Sequence, residues 1–221
     1  MKKMKFTLTV VCMMLMLAGV HFEGQAQRDK GEIVAPQKGK VAKEEADLLA
    51  KDGWKTDKYT IEEQLASTWM LMCTSNPGTG ESRYLWVEKE ATGENLKDIM
   101  VKNYISGITN LTYQLELPFI SQCKIVMLQK KASLDQMERM EKIVRQVSPM
   151  VVQNMNKKSM EIYRQKDKTY TIRSVYMIDK SKAYDILCEA CIKDASANKE
   201  NATLVEIFKE ALNRMAKQSI R

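Results

Sequence analysis

Histidine is almost missing from this chain: His21 is the only one in 221 residues. It falls within an amino-terminal stretch that reads as an export signal, so the mature protein is expected to contain no imidazole. That removes the usual general base near neutral pH, the commonest metal ligand and the relay member of Ser-His-Asp or Cys-His nucleophiles. A Gly-rich phosphate loop, a calcium-loop pattern and a haem motif are missing too. After the amino-terminal run, no segment offers about eighteen consecutive apolar residues. No catalytic, cofactor-binding or metal-binding residues are therefore assigned, and the expectation is a protein that is not an enzyme and carries no cofactor.

The export signal is read over residues 1–26. Lys2, Lys3 and Lys5 form its positive start, Phe6 to Val20 its apolar run, and Gly24-Gln25-Ala26 places small residues at −3 and −1 of a cleavage site. The expected location is periplasmic or outer-membrane-associated. The whole chain carries +7, and losing Lys2, Lys3, Lys5 and Glu23 leaves about +5. Lys and Glu alternate along the same segments (Lys97/Asp98, Glu138/Arg139, Glu141/Lys142), so nucleic acid is not an expected partner. Such a balance fits solvated helix faces with some affinity for anionic envelope polymers or headgroups, hence a peripheral membrane association.

Residues 27–41 contain Gly31, Pro36 and Gly39 with almost nothing large and apolar, which predicts a disordered tether. Residues 42–221 are expected to form a single α+β domain. A short helix over Ala42 to Lys51 ends at Gly53, with Trp54 capping the core from outside. Thr60-Ile61-Glu62-Glu63 is a capping box that opens a helix with Ile61, Leu65, Trp69 and Met72 on one face. Arg83 to Ala91 alternates with the two-residue period of a strand. A long helix from Asn95 carries the stripe Leu96, Met100, Tyr104, Ile108, Leu111 and Leu115, and Pro118 is expected to kink or break it. Ser133-Leu134-Asp135-Gln136 caps a further helix, with Met137, Met140, Val144, Val147 and Val151 inward and Pro149 interrupting it late. Ser159 to Gln165 and Tyr170 to Ile178 read as a hairpin. Asp179 caps the next helix, and Thr203 caps the last, whose apolar face is Leu204, Phe208, Leu212 and Met215. The sum is a small antiparallel sheet of about three strands, with long helices packed on one face.

Four cysteines remain after the signal: Cys73, Cys123, Cys188 and Cys191. Four allow three pairings in an oxidising compartment, and Cys73 with Cys123 is the pair expected first. Cys188-Glu189-Ala190-Cys191 has redox spacing, but Cys188 lies two turns past the Asp179 cap. The helix dipole has faded there, so core packing or a structural bond outweighs catalysis. One C-x-x-C knuckle with two isolated thiols makes a poor zinc site. Glu88 and Glu90 share a strand face beside Tyr84 and Trp86, a pattern that suits a sugar platform and equally a solvent-facing strand end. Methionines fall mostly on helix stripes, where they fill irregular gaps. Trp69, Met70 and Met72, in a run of four apolar residues that points all round a helix, mark a candidate apolar contact surface.

A strand ending in Gly93 leads into a long helix. A second helix follows, then a hairpin whose last strand reads Ile172-Arg173-Ser174-Val175-Tyr176-Met177-Ile178 before Asp179-Lys180-Ser181-Lys182-Ala183-Tyr184. Over about Tyr84 to Leu187 this arrangement resembles the lipoprotein-20 family of small outer-membrane lipoprotein domains, itself similar to the N-terminal domain of a flagellar ring protein. The chain departs from the family in lacking the acylated cysteine and the Ala-rich spacing of the first long helix, where Met100, Tyr104 and Ile108 stand instead. The resemblance implies a structural or interaction role in the cell envelope, with an envelope protein or polymer as partner and no catalytic residues to carry over. The alternatives are a thiol-disulfide-active protein using Cys188 and Cys191, or a carrier of a small apolar ligand.

Overall fold

The computed structural model describes residues 40–76 and 80–218. The expected signal and residues 27–39 of the expected tether lie outside the described residues, and Ala42 onward forms a compact unit of its own. Lys40 and Val41, assigned to the tether from sequence, are instead the start of helix α1, residues 40–51. The run Ala-Lys-Glu-Glu-Ala-Asp-Leu-Leu-Ala is made of strong helix formers, and it buries Ala42, Ala46 and Leu49 at i, i+4, i+7. Gly53 ends it at φ +84°. Trp54 N–H returns to Leu49 O at 3.0 Å and Gly53 N–H to Ala50 O at 3.1 Å, the bonding of a Schellman cap.

Helix α2 (Ile61–Met72) starts where its capping box predicts. Glu63 N–H donates to Thr60 Oγ1 at 3.1 Å, and Thr60 N–H donates to Glu63 Oε2 at 2.8 Å. Strand β1 (Tyr84–Gly93) leads to the 34-residue helix α3 (Leu96–Gln129), then α4 (Leu134–Met155) and the hairpin β2 (Lys157–Lys166) and β3 (Thr169–Asp179). Asp167 turns the hairpin at φ 56°, a left-handed conformation that Asp tolerates. Helix α5 (Lys180–Ser196) is capped by Asp179, whose carboxylate accepts from Lys182 N–H. The last helix, α6 (Ala202–Gln218), begins one residue before the expected Thr203 cap. A 3₁₀ turn, Lys199–Asn201, precedes it, capped by Asn198. Thr203 Oγ1 is occupied by accepting from Gln136 Nε2 at 3.3 Å.

The sheet is antiparallel in the order β1-β3-β2, so β3 is central, and pairing runs from Tyr84 opposite Asp179 to Gly93 opposite Tyr170. Its central strand is apolar on both faces, and the sheet is covered on both. Val87, Tyr176 and Ile178 face a large core closed by α3, α4, α5 and α6. Met160, Ile162, Val175 and Met177 face a smaller core closed by α1, Trp54 and α2. The long helices do lie together on one side, as the pattern predicts. The two short ones form a third layer on the other side, because Ile172-x-x-Val175-Tyr176-Met177-Ile178 leaves neither face of β3 polar enough for solvent. Trp54, expected outside the core, is buried within this second core.

Neither proline breaks its helix: α3 runs through Pro118 and α4 through Pro149. Each removes one ladder bond. Leu115 and Phe119 on either side of Pro118, and Val147 and Val151 around Pro149, are buried and hold both halves in place.

The first half of α3 is rotated from the expected stripe. Ile99, Asn103 and Gly107 face the sheet, while Leu96 and Met100 are half-buried and Tyr104 is exposed. Tyr176 sets this rotation. Its hydroxyl donates to Asn103 Oδ1 at 2.9 Å, Asn103 Nδ2 donates to Lys89 O at 3.0 Å, and a Cβ on Gly107 would stand 2.3 Å from the Tyr176 ring. Burying a tyrosine in the sheet requires a partner for its oxygen and room for its ring. Asn103 and Gly107 supply those, so apolar size does not decide the contact face there.

Candidate interaction surface

The cysteines divide between the two sides of the sheet. Cys73 is the exposed residue that ends α2, on the side of the smaller core. Cys123, Cys188 and Cys191 are buried together in the larger core between α3 and α5. The expected Cys73–Cys123 pair is therefore corrected: the sheet lies between the two elements that carry it. Burial pushes the Cys188 thiol up to about 11, and burial raises Cys123 and Cys191 further. All three are thiols, not thiolates, at neutral pH, which is the wrong state for a nucleophile.

The carboxylates beside Tyr84 and Trp86 are engaged. Glu88 receives Arg173 at 2.6 and 3.1 Å, and the same guanidinium lies 3.9 Å from Glu90. Arg173 and Arg164 both pack over the Trp54 ring, at 5.7 and 4.9 Å from its centroid. This is an ion-paired sheet face. Among the described residues, no group of three or more His, Cys, Asp or Glu side chains is placed to hold a metal ion.

A cleft of about 580 Å³ lies between α2 and the edge of β2, lined by polar groups including Thr56, Asp57, Gln64, Lys157 and Lys158. Its walls cover an open strand edge. Glu161 N–H donates to Gln64 Oε1 at 2.7 Å, and Lys55 and Tyr163 exchange backbone bonds at 2.7 and 2.9 Å. Gln64 in turn donates to Thr56 Oγ1 and to Tyr59 O. The edge is thus largely blocked against a further strand. On the candidate surface on α2, Met70 is exposed, while Trp69 and Met72 pack half-buried against the smaller core.

A second groove, about 350 Å³, runs between the first half of α3 and the second half of α4. Tyr104, Ile105, Ile108 and Tyr113 line one wall, Pro149 and Gln153 the other. Beside it Val101, Ile105, Tyr113 and Leu117 are each more than half exposed, as is Met150 across the groove. At its floor Glu116 is only 3% exposed and accepts from Arg145 at 3.1 Å. Burial raises the Glu116 carboxyl above its ordinary value, against the opposing pull of Arg145. Lys102 stands one turn before Ile105 and Ser106, and Lys142 one turn before Arg145. The groove's lining mixes apolar side chains with Thr109, Thr112 and Gln153, and its cation, Arg145, is ion-paired to Glu116 and to Glu141.

The sequence reading missed this surface because it sought one apolar stripe per helix. The signal was present as surplus: α3 carries Val101, Ile105, Tyr113 and Leu117 at multiples of four in addition to the residues that reach its core. A helix with more apolar residues than one face can bury has a second contact to make. Among the described residues no helix is long and apolar enough to cross a membrane. No family model, no curated protein and no solved structure matches the chain.

Proposed function

We propose that this is an exported, non-catalytic interaction protein of the cell envelope, which holds an envelope protein in the groove between α3 and α4. The observation that carries the reading is the exposed row Val101, Ile105, Tyr113 and Leu117 beside a groove of about 350 Å³, on a helix whose opposite face is already fully packed. Contiguous exposed apolar surface of this kind marks a binding face. The fitting partner is a protein segment that presents apolar side chains, since Ile105 and Tyr113 line the groove and are more than half exposed. The export pattern of residues 1–26 and the resemblance to the lipoprotein-20 family favour the envelope as the setting. Catalysis is disfavoured by the lack of an imidazole after residue 21, by buried protonated thiols and by carboxylates that are ion-paired.

Site-specific photo-cross-linking in living cells tests this reading. A cross-linking residue at position 105 or 117 is expected to capture one discrete protein adduct, and one at position 209, on the exposed side of α6, to capture none. Equal capture from all three positions, or from none, overturns it.

A further inference from the structure

We propose that β1 pairs with β1 of a second copy of this chain, antiparallel about a two-fold axis at Val87, so that two three-stranded sheets join into one. The contrast between the two edges of the sheet carries the proposal. The edge of β2 is shifted in register between Lys158 and Met160, and its outward groups are taken by Gln64 and Lys55. The 10 residues of β1 keep one unshifted register from end to end and contain no proline.

The ladder fixes which groups of β1 face outward. Tyr163 bonds Lys55 on the far side of β2, so Ile162 and Arg164 are the residues that bond β3, through Arg173 and Thr171. Bonding alternates along β3, which leaves Ile172 and its alternates to bond Ala91, Lys89, Val87 and Leu85. The backbone of Tyr84, Trp86, Glu88, Glu90 and Thr92 therefore points away from the sheet. Gln114 Nε2 donates to Trp86 O at 3.4 Å, and Ser82 Oγ donates to Tyr84 O at 2.9 Å. Among the described residues no acceptor meets the N–H of Trp86, Glu88 or Glu90, and no donor meets the C=O of Glu88 or Glu90. A straight edge of this kind is a template for another strand.

The strand's own sequence supplies a complementary partner. Four antiparallel registers pair seven or more residues of β1 with its copy. Centred on Glu88, Lys89 or Glu90, the register sets acid directly opposite acid: Glu88 on itself, Glu88 on Glu90, or Glu90 on itself. Centred on Val87, it sets Trp86 opposite the copy's Glu88, Tyr84 opposite its Glu90 and Leu85 opposite its Lys89, with no like charges facing. The backbones of Trp86 and Glu88 then exchange bonds in both directions, as do those of Tyr84 and Glu90. Because the two-fold axis uses up both β1 edges and the β2 edges are covered, assembly stops at two copies.

Sedimentation of the full chain, with amide exchange read residue by residue, tests this. Expected are a mass of two chains and amides of Trp86, Glu88 and Glu90 that gain protection as concentration rises, while those of Val87 and Lys89, bonded to β3, are protected throughout. Glu88→Pro removes an outward N–H and no bond to β3. It is expected to weaken the dimer roughly tenfold or more, because the Glu88 bond is lost twice by symmetry. Glu88→Gln keeps the N–H and is expected to stay within roughly twofold of wild type. A monomer at every concentration overturns the proposal and leaves the edge to a strand of another protein. A wild-type dimer whose Glu88 and Glu90 amides exchange freely also overturns it, and that measurement decides the matter if Glu88→Pro does not fold. A folded Glu88→Pro chain that dimerises as tightly as wild type is equally contrary.

Discussion

The two cores on either side of the sheet are built from the same strands and in different ways. The larger one is sealed by apolar contact. Phe119 lies between Tyr184 and Phe208, at 6.4 and 6.1 Å, and Cys123, Val126, Met127 and Met140 are fully buried around it. The smaller one is closed by α1 and α2, and its margin is held by polar groups. Arg164 and Arg173 lie on Trp54, Arg164 bonds Asp52, and Gln64 reaches from α2 to the backbone of β2. Helices of 34 and 22 residues bring enough apolar surface to exclude water by themselves. A 12-residue helix does not, and needs directional bonds to hold its place against the sheet. The larger core should therefore fail globally when a side chain is removed, and the smaller one locally.

The sharpest way to break that contrast is Phe119→Ala. Removing a fully buried ring from the centre of the larger core is expected to cost about 3–5 kcal/mol and to lower the urea midpoint of every probe together. Separate transitions for α1–α2 and for the long helices would contradict it.

Next in size is the alkaline limit. Burial, above all other causes, raises Tyr176 and Tyr184 from the usual 10 to about 12. Because the folded state holds these protons more tightly, the stability linked to them is complete below about pH 10 and is lost as pH rises towards 12. For each tyrosine this is at most about 2–3 kcal/mol. Tyrosinate absorbance and unfolding should therefore rise together in this range. Normal ionisation near pH 10 with the fold intact would contradict the burial of both rings.

Gly107→Ala should cost about 1–3 kcal/mol, since its Cβ would meet the Tyr176 ring at 2.3 Å and either α3 or the ring must shift. A crystal structure or a thermal midpoint identical to wild type would remove the explanation given for the rotation of α3. The smallest effect is expected from Gln64→Ala, about 1–2 kcal/mol, which leaves Glu161 N–H without its side-chain partner. Its signature is local: faster amide exchange in α2 and at Glu161, with α3 and α4 unchanged. Uniform loss of protection would show that the two cores do not differ as described.

How much of this was legible in the sequence follows the same divide. Capping boxes at Thr60 and Ser133, the Asp179 cap and the hairpin were readable because each is a local arrangement of a few residues whose bonds do not depend on the rest of the fold. The breaks expected at Pro118 and Pro149 are not there, because a local penalty was outweighed by packing that only the assembled core supplies. Asn103 and Gly107 were invisible as core positions, since their value lies in a tyrosine seventy residues away. The expected pairing of Cys73 failed for a similar reason, as nothing local states which side of a sheet a helix will cover. For the candidate groove, the individual apolar residues were visible, but the convergence of α3 and α4 around Glu116 and Arg145 was not.

The claim on which the functional reading turns is that the exposed row on α3 is a contact surface and not part of the fold. It is tested most directly by Tyr113→Asp in a chain carrying the cross-linker at position 105. The account predicts an unchanged thermal midpoint together with at least a tenfold loss of the captured adduct. An unfolded variant, or an undiminished adduct from a folded one, would contradict it.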